Sequence, residues 1–416
     1  MWFIEEVNKP YHWRRVNEIA NIKEYLSGQH KILQKPNYQW NGKTYEPRKI
    51  VLQYAKTVLN YSVAYVISNP ITLTGDQRVT DEYKRIYKRG KYNNIDYDVL
   101  DKMTKYGFVA EYVYLDKDNN IRSKVLDPID CSPVFNSQNE YVSLIEHYCI
   151  ENVSFYNIYF PDKVERWTDE GGELRQIGEF ENISGLPILY RNRSEIDNLG
   201  RSDLLDILPL LDNMEDLLSK ATDAYYHFIT GIPVLKGQQL KSDGLPKDLV
   251  VGGIVIDDTA EFDFKQNKFD YQAFETLYKT LSSSLLDIAH VPAVSMGKTD
   301  ISNLSEVSIR LLFNLADMKG GLNAKFMREG MEQRFDVIRR LLEYKEISFT
   351  DDEYDTLGIV FRFARPSNDK EIVENLQTLR NIKAISLETI LDYSPYTTDV
   401  QAELEELRSE GMNDDS

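Results

Sequence analysis

The sequence predicts an α+β chain, and three observations carry that prediction. Apolar residues recur at intervals near 3.6 over four long stretches, 48–68, 200–228, 271–289 and 305–345, the spacing of amphipathic helices. Between about 106 and 190 the interval changes to two, the mark of half-buried strands. Neither an internal repeat nor a low-complexity segment interrupts this order.

Taken along the chain, residues 15–27 read as a helix that Gly28 breaks. In 48–68 the stripe is Ile50, Tyr54, Val58, Tyr61 and Tyr65, and Asn69-Pro70 stops it. The basic run 82–92 reads as a solvated helix face, with a phosphate-binding patch as the sharper alternative. In the β-rich block, Asp118-Asn119-Asn120 is a hairpin turn. Ser202 or Asp203 can cap the helix that begins near 200, and Pro209 implies a break inside it. Its stripe is Leu210, Met214, Leu217, Ala221, Ala224 and Phe228, with Leu211, Leu218 and Tyr225 beside it. A compact β insertion at 231–264 precedes the helix 271–289, with Phe274, Leu277, Leu281, Leu285 and Ile288 on one face and Pro292 after its end. In the long helical stretch 305–345, Val307, Leu311, Leu315 and Met318 lie before the pair Gly320-Gly321, where a kink is expected. A strand at 357–366, helices near 369–383 and 387–394, and an acidic tail complete the chain.

The chain has 416 residues, enough for two to four subdomains. Two cysteines, Cys131 and Cys149, form no metal or redox spacing, which points to a reducing compartment. The first residues carry acids and no long apolar run, unlike a secretory signal, and no stretch is long and apolar enough to span a membrane. Net charge is −18, unevenly placed: residues 1–100 hold 16 Lys and Arg against 10 Asp and Glu, the remainder 33 against 57. Such an acidic body opposes tight nonspecific wrapping of nucleic acid, which depends on phosphate neutralisation. It remains compatible with DNA that must slide past.

The triplet Gly297-Lys298-Thr299 suggests a nucleotide-binding loop, but a phosphate loop needs a glycine where Pro292 stands, a preceding strand and an immediate helix. Here the preceding element is helical and the next helix begins several residues later, so ATP binding is rejected. The five histidines are scattered; His147 and Cys149 share a strand face without a second pair to complete a metal site. No nucleophile elbow or distinctive carboxylate pair is present, so the sequence offers no catalytic residues, no metal ligands and no cofactor site. What remains is architectural: two long helices around a small β insertion, a loop, and a long helix.

That order resembles the portal proteins of tailed bacteriophages, of the type found in long-tailed phages of Gram-positive hosts. The carriers are "YLSGQHKI" (25–32), similar to a Tyr-x-x-Gly-x-His segment; "VLQYAKTVLNYSVAYVISNPITL" (51–73); "GRSDLLDILPLLDNMEDLLSKATD" (200–223), with its Gly-x-Ser-Asp-Leu helix start; and "HVPAVSMGKTDISNLSEVSIRLLF" (290–313). They fall in the right order across about 20–345.

The resemblance implies a dodecameric ring at one capsid vertex, the channel for double-stranded DNA packaging and ejection. Its implied partners are the terminase large subunit, a head-completion adaptor, and the major capsid and scaffolding proteins, with no membrane; the ring is assembled in the host cytoplasm and resides in the virion. It also implies a portal fold. Residues 1–200 would be a β-rich wing, 201–228 and 271–291 the two stem helices, and 229–270 the clip. Residues 292–304 would be a tunnel loop, 305–367 a long kinked helix with a returning wing strand, and 368–416 a short helical crown with the acidic tail. On this reading Ser295, Lys298, Thr299, Asp300 and Asn303 face DNA, and Lys236, Gln238, Lys241 and Lys247 on the clip meet a partner. Twelve copies would carry about −216, so rings of Lys298 would offer weak, sequence-independent phosphate contact in an acidic bore. The alternatives are a DNA-processing enzyme such as a metal-dependent nuclease, or another structural protein of the phage head.

Overall fold

The period-two block folds as its pattern requires, into eight strands joined by short turns, and helices precede and follow it. In the computed structural model, residues 1–40, 43–196, 198–229, 232–236, 261–265, 270–292, 305–397 and 400–411 are described. The chain opens with α1 (Trp2–Val7), α2 (Pro10–Ser27), β1 (Tyr38–Trp40), β2 (Lys43–Tyr45), α3 (Tyr54–Ile67), β3 (Thr72–Thr74), α4 (Gln77–Gly90) and α5 (Tyr92–Tyr106). The strand block is β4 (Phe108–Leu115), β5 (Ile121–Val125), β6 (Cys131–Phe135), β7 (Tyr141–Ile150), β8 (Val153–Tyr159), β9 (Lys163–Thr168), β10 (Arg175–Glu181) and β11 (Ile188–Arg191). Then come α6 (Leu208–Ile229), β12 (Ile232–Lys236), β13 (Glu261–Lys265), α7 (Tyr271–Ile288), α8 (Glu306–Tyr344), α9 (Asp351–Tyr354) and β14 (Gly358–Val360). The chain closes with α10 (Asp369–Asn381), α11 (Leu387–Tyr393) and α12 (Val400–Ser409). The α+β class is as the sequence predicts.

The chain divides into two units, residues 1–23, 56–206 and 286–416 in one, and 24–55 with 207–285 in the other. In the first unit, β10-β9-β8-β7-β6 form an antiparallel meander, β11-β4-β5 a three-stranded sheet and β14-β3 a two-stranded one. The expected turn at 118–120 is present: Asn119 takes φ 57° and the Asp116 carboxylate accepts from the amides of Asp118 (2.9 Å) and Asn120 (2.8 Å). The main core joins α4, α5, β4, β11 and α8 through Tyr83, Tyr87, Leu100, Met103, Tyr190, Met331 and Phe335. A separate cluster seats Phe3 of α1 against Ile145, Tyr156 and Ile158 of the meander. The basic run behaves as a solvated face: Tyr83, Ile86 and Tyr87 point inward, while Lys84, Arg85, Lys88 and Arg89 are exposed.

Within the main core lies a charged cluster. Arg334 is fully buried, with Nε and Nη2 each 2.9 Å from Glu111 Oε2, and Nη1 on Asp96 and on the Tyr87 hydroxyl. The Tyr190 hydroxyl donates to Glu111 at 2.7 Å. Burial raises the Asp96 carboxyl to about 6 even though Arg334 pulls it down. Beside this cluster, a Cβ at Gly330 would stand 2.4 Å from the Tyr190 ring, so only glycine lets α8 approach that strand.

The second unit is built around α6, whose buried positions are Leu211, Met214, Glu215 and Ser219. Here the structure departs from the expected stripe: Leu210, Leu217, Ala221 and Ala224 are only half-buried, and the inward face is rotated to include a glutamate. Glu215 is needed there because its Oε1 accepts from the Leu52 amide at 2.8 Å and lies 2.6 Å from His30 Nδ1.

Three expectations are corrected. The helix expected from 48 starts at Tyr54, because the amides of Arg48, Ile50 and Leu52 bond to Asp223, Ser219 and Glu215 instead of to a helical turn. The helix α8 runs unbroken through Gly320-Gly321; Gly320 serves close packing, since a Cβ there would meet the Tyr65 ring at 3.2 Å. Of the strand expected at 357–366, only Gly358–Val360 pairs, against β3. The acidic tail, to which the sequence assigned no conformation, contains a helix, α12. Pro209 does mark a break: a single 3-10 turn, Asp203–Asp206, precedes it and α6 begins beside it.

Candidate functional site

The expected DNA-facing residues Ser295, Lys298, Thr299, Asp300 and Asn303 all lie outside the described residues, but both ends of their segment are defined. At the near end His290 takes φ 56° and the Val291 amide reaches back to the Leu286 carbonyl at 2.9 Å, a left-handed helix stop before Pro292. At the far end Ser305 caps α8 by accepting from the Ser308 amide at 3.3 Å. The Glu306 amide donates to Glu371 Oε2 at 2.8 Å, and the Glu306 carboxylate takes Arg310 at 3.2 Å and Arg365 at 3.6 Å. α7 is therefore followed by a sharp stop before Pro292, and α8 begins at an N-terminus held by charge.

From that N-terminus α8 presents two apolar stripes. Ile309, Phe313, Ala316 and Gly320 are buried against Tyr65 and Phe363. On the opposite side Val307, Leu311, Leu315, Met318 and Leu322 are 38–73 % exposed. At 100° per residue these five fall within an arc of about 80° and extend roughly 22 Å along the axis. An ordinary surface helix has one apolar stripe and a polar opposite face. This one has a second stripe of five side chains left in water, which is the usual mark of a protein contact.

The segments that carried the resemblance turn out to be anchors. Tyr25 stacks on His30 with ring centroids 3.7 Å apart, Gly28 supplies φ 101°, and His30 reaches Glu215. In the helix start at 200, Gly200 takes φ 91°, and a Cβ there would stand 2.1 Å from the Gly107 carbonyl oxygen. Ser202 Oγ donates to the Lys105 carbonyl and accepts from the Leu204 amide, so it caps the 3-10 turn Asp203–Asp206 and not the long helix for which the sequence suggested it. Asp203 Oδ1 accepts from Asn192 Nδ2 and from Lys319 Nζ, each at 2.7 Å.

Of the four expected partner-contact residues, Lys236 is exposed at the end of β12, in register with Glu261 of β13. Gln238, Lys241 and Lys247 lie outside the described residues. His147 and Cys149 do share a face, at 3.9 Å, but His147 stacks on Tyr156 and burial lowers its pKa. Among the described residues no group of three or more His, Cys, Asp and Glu is placed to hold a metal ion, and no helix is long and apolar enough to cross a membrane. Sequence reasoning missed the buried charges Glu215 and Arg334. Each stands inside an apolar stripe, Glu215 after Met214 and Arg334 between Met331 and Phe335, and that interruption was the available signal.

Over residues 7–416 the chain matches the family model described as phage portal protein, SPP1 Gp6-like. A comparison with curated proteins found no match.

Proposed function

This chain belongs to the phage portal protein family of the SPP1 Gp6-like kind, and from that premise we propose that it forms a dodecameric ring at a unique capsid vertex. Membership makes it a structural component of the phage head, a head-tail connector in an oligomer that contacts capsid and packaging proteins. The ring proposed here is the channel through which double-stranded DNA is packaged and ejected. It docks the terminase large subunit during filling and a head-completion adaptor afterwards. ATP is hydrolysed by that motor and not by this chain. In this reading 1–200 form the wing, 201–228 and 271–291 the stem, 229–270 the clip, 292–304 the tunnel loop, 305–367 the long helix with its returning strand, and 368–416 the crown.

One observation supports the ring most directly: the second apolar stripe of α8. Covering its five side chains contributes roughly 1 kcal/mol apiece at about 25 cal/mol per Å² of apolar surface. In a closed ring each copy offers the same two surfaces to its neighbours, so one stripe per chain contributes at every interface. The test is particle mass and shape. Purified protein should contain rings with a central hole and about twelve times the 48.4 kDa chain mass. Leu311→Glu with Leu315→Glu should yield folded monomers; rings of unchanged mass would remove the stripe from the interface.

A further inference from the structure

The basic run 82–92 stands out in an acidic chain. It holds five bases, Lys84, Arg85, Lys88, Arg89 and Lys91, against Glu82, where the whole chain carries −18. On α4 the first four project outward within an arc of about 140°, while Tyr83, Ile86 and Tyr87 are buried beneath them. Arg85 pairs with Glu82 at 2.8 Å, whereas among the described residues Lys84, Lys88, Arg89 and Lys91 make no ion pair.

The end of the helix explains part of this. Cations in a last turn balance the negative end of the helix dipole, and Lys88 and Arg89 sit there. The effect fades within that turn, so Lys84 and Arg85, one turn earlier, gain little from it. Lys84 with Lys88, and Arg85 with Arg89, are also like charges four residues apart, an arrangement that costs the helix stability and that an anion relieves.

Lys84 and Lys88 line a groove of about 880 Å³ together with Arg362, Thr72, Thr74 and Asn93. Among the described residues the one acid in that lining, Asp392, is already engaged 3.4 Å from Arg362. All of these residues belong to the first unit. Ammonium and guanidinium groups with hydroxyl and amide donors beside them are the set that phosphodiester oxygens take. The cations also continue past the groove, through Arg85 and Arg89 to Lys91, about 10 Å along the chain from Lys84. That extent fits a long, evenly charged polymer better than an acidic peptide. Single strands are held by bases stacked on aromatic rings, and the two rings within α4's basic stretch, Tyr83 and Tyr87, are buried. A duplex needs only its outer phosphates met, which an exposed cationic face does.

We propose that the outward face of α4 is a second contact for double-stranded DNA, separate in sequence from the proposed tunnel loop, at which Lys84, Arg85, Lys88 and Arg89 meet backbone phosphates without regard to sequence. On an acidic body this contact is weak and salt-sensitive, which suits DNA that must leave again. It needs no ring, so the ring and this contact can fail separately.

The experiment titrates a fluorescently labelled duplex of arbitrary sequence with full-length protein and follows anisotropy between about 50 and 200 mM salt. Each phosphate contact contributes about 0.9 to the slope of log affinity against log salt. Lys84→Gln/Lys88→Gln should therefore reduce the slope by about 1.8 and weaken binding at low salt at least about tenfold; an unchanged slope and affinity would overturn the proposal. Lys84→Arg/Lys88→Arg keeps the charge and should bind like the parent, and a loss there as well would overturn a role for charge. Introduced into Lys298→Ala protein, the glutamine pair should have its full effect; no effect in that background would overturn a separate contact. A single strand and poly-glutamate are titrated alongside. Binding of either as tightly as the duplex, with the same dependence on Lys84 and Lys88, would overturn the choice of a duplex backbone. Particle mass, measured on each sample, reads the ring independently.

Discussion

Replacing Arg334 with methionine tests the charged core most sharply. Arg334 is fully buried, and among the described residues its guanidinium is the only cation in contact with two buried carboxylates, Asp96 and Glu111. Methionine fills a similar volume and keeps the packing between the Tyr92 and Tyr190 rings, which lie 5.2 and 5.7 Å from the guanidinium carbon. What it removes is charge and donors, leaving the Glu111 carboxylate, among the described residues, with only the Tyr190 hydroxyl as a side-chain donor, and Asp96 with none from Arg334. Removing one partner of a buried ion pair costs about 3–5 kcal/mol, because the other charge stays desolvated. For a unit of this size each kcal/mol is worth roughly 2–4 °C, so the thermal midpoint should fall by at least about 6 °C. Differential scanning calorimetry at pH 7 is the assay. The triple variant Arg334→Met/Asp96→Asn/Glu111→Gln separates charge from shape: it should recover most of the loss. A single variant within about 1 °C of the parent, or a triple variant no better than the single one, would refute the view that Arg334 acts by neutralising this pair.

The same cluster sets a pH dependence. Asp96 titrates near 6 in the folded chain, above its ordinary value of 3.8, because burial disfavours its charged form. The folded state therefore binds the proton more readily, and the unfavourable contribution of Asp96, fully present above about pH 6, fades as pH falls toward the ordinary carboxylate range. Denaturation midpoints of Asp96→Asn and parent should converge between about pH 6 and about pH 4; parallel curves would contradict this. On α8, Gly330→Ala should destabilise by about 1–3 kcal/mol because its Cβ would stand 2.4 Å from the buried Tyr190 ring. Gly321→Ala, with open space around it, should stabilise by roughly 0.8–1 kcal/mol through helix propensity; equal effects in chemical denaturation would sink the packing argument. Lys298→Ala should leave ring mass unchanged yet alter DNA packaging or retention, and an unaltered packaging assay would end the proposed cation ring. Purified protein should show no ATPase, so a robust Lys298-dependent phosphate release would restore the rejected phosphate loop.

By itself the sequence determined the class and order of the elements. Periodicity is local, and four long helices and the strand block declare themselves through spacings of 3.6 and 2. It also determined the family, because the anchors Tyr25, Gly28, His30, Gly200, Ser202 and Asp203 stand in a readable order. Their reason was invisible: Gly200 is fixed by the Gly107 carbonyl, and His30 by Glu215, partners far away in sequence. Tertiary structure alone decided which stripe of α8 is core. Val307, Leu311 and Leu315 look as apolar as Ile309 and Phe313, and only the position of Tyr65 and Phe363 assigns one set to the interior and leaves the other in water. It also decided that residues 48–52 are extended, since side chains of α6 take the amides a helix would have used. Local pattern sets which face of an element is apolar. Which apolar face is filled depends on residues brought together by folding, and for α8 those residues are Tyr65 and Phe363.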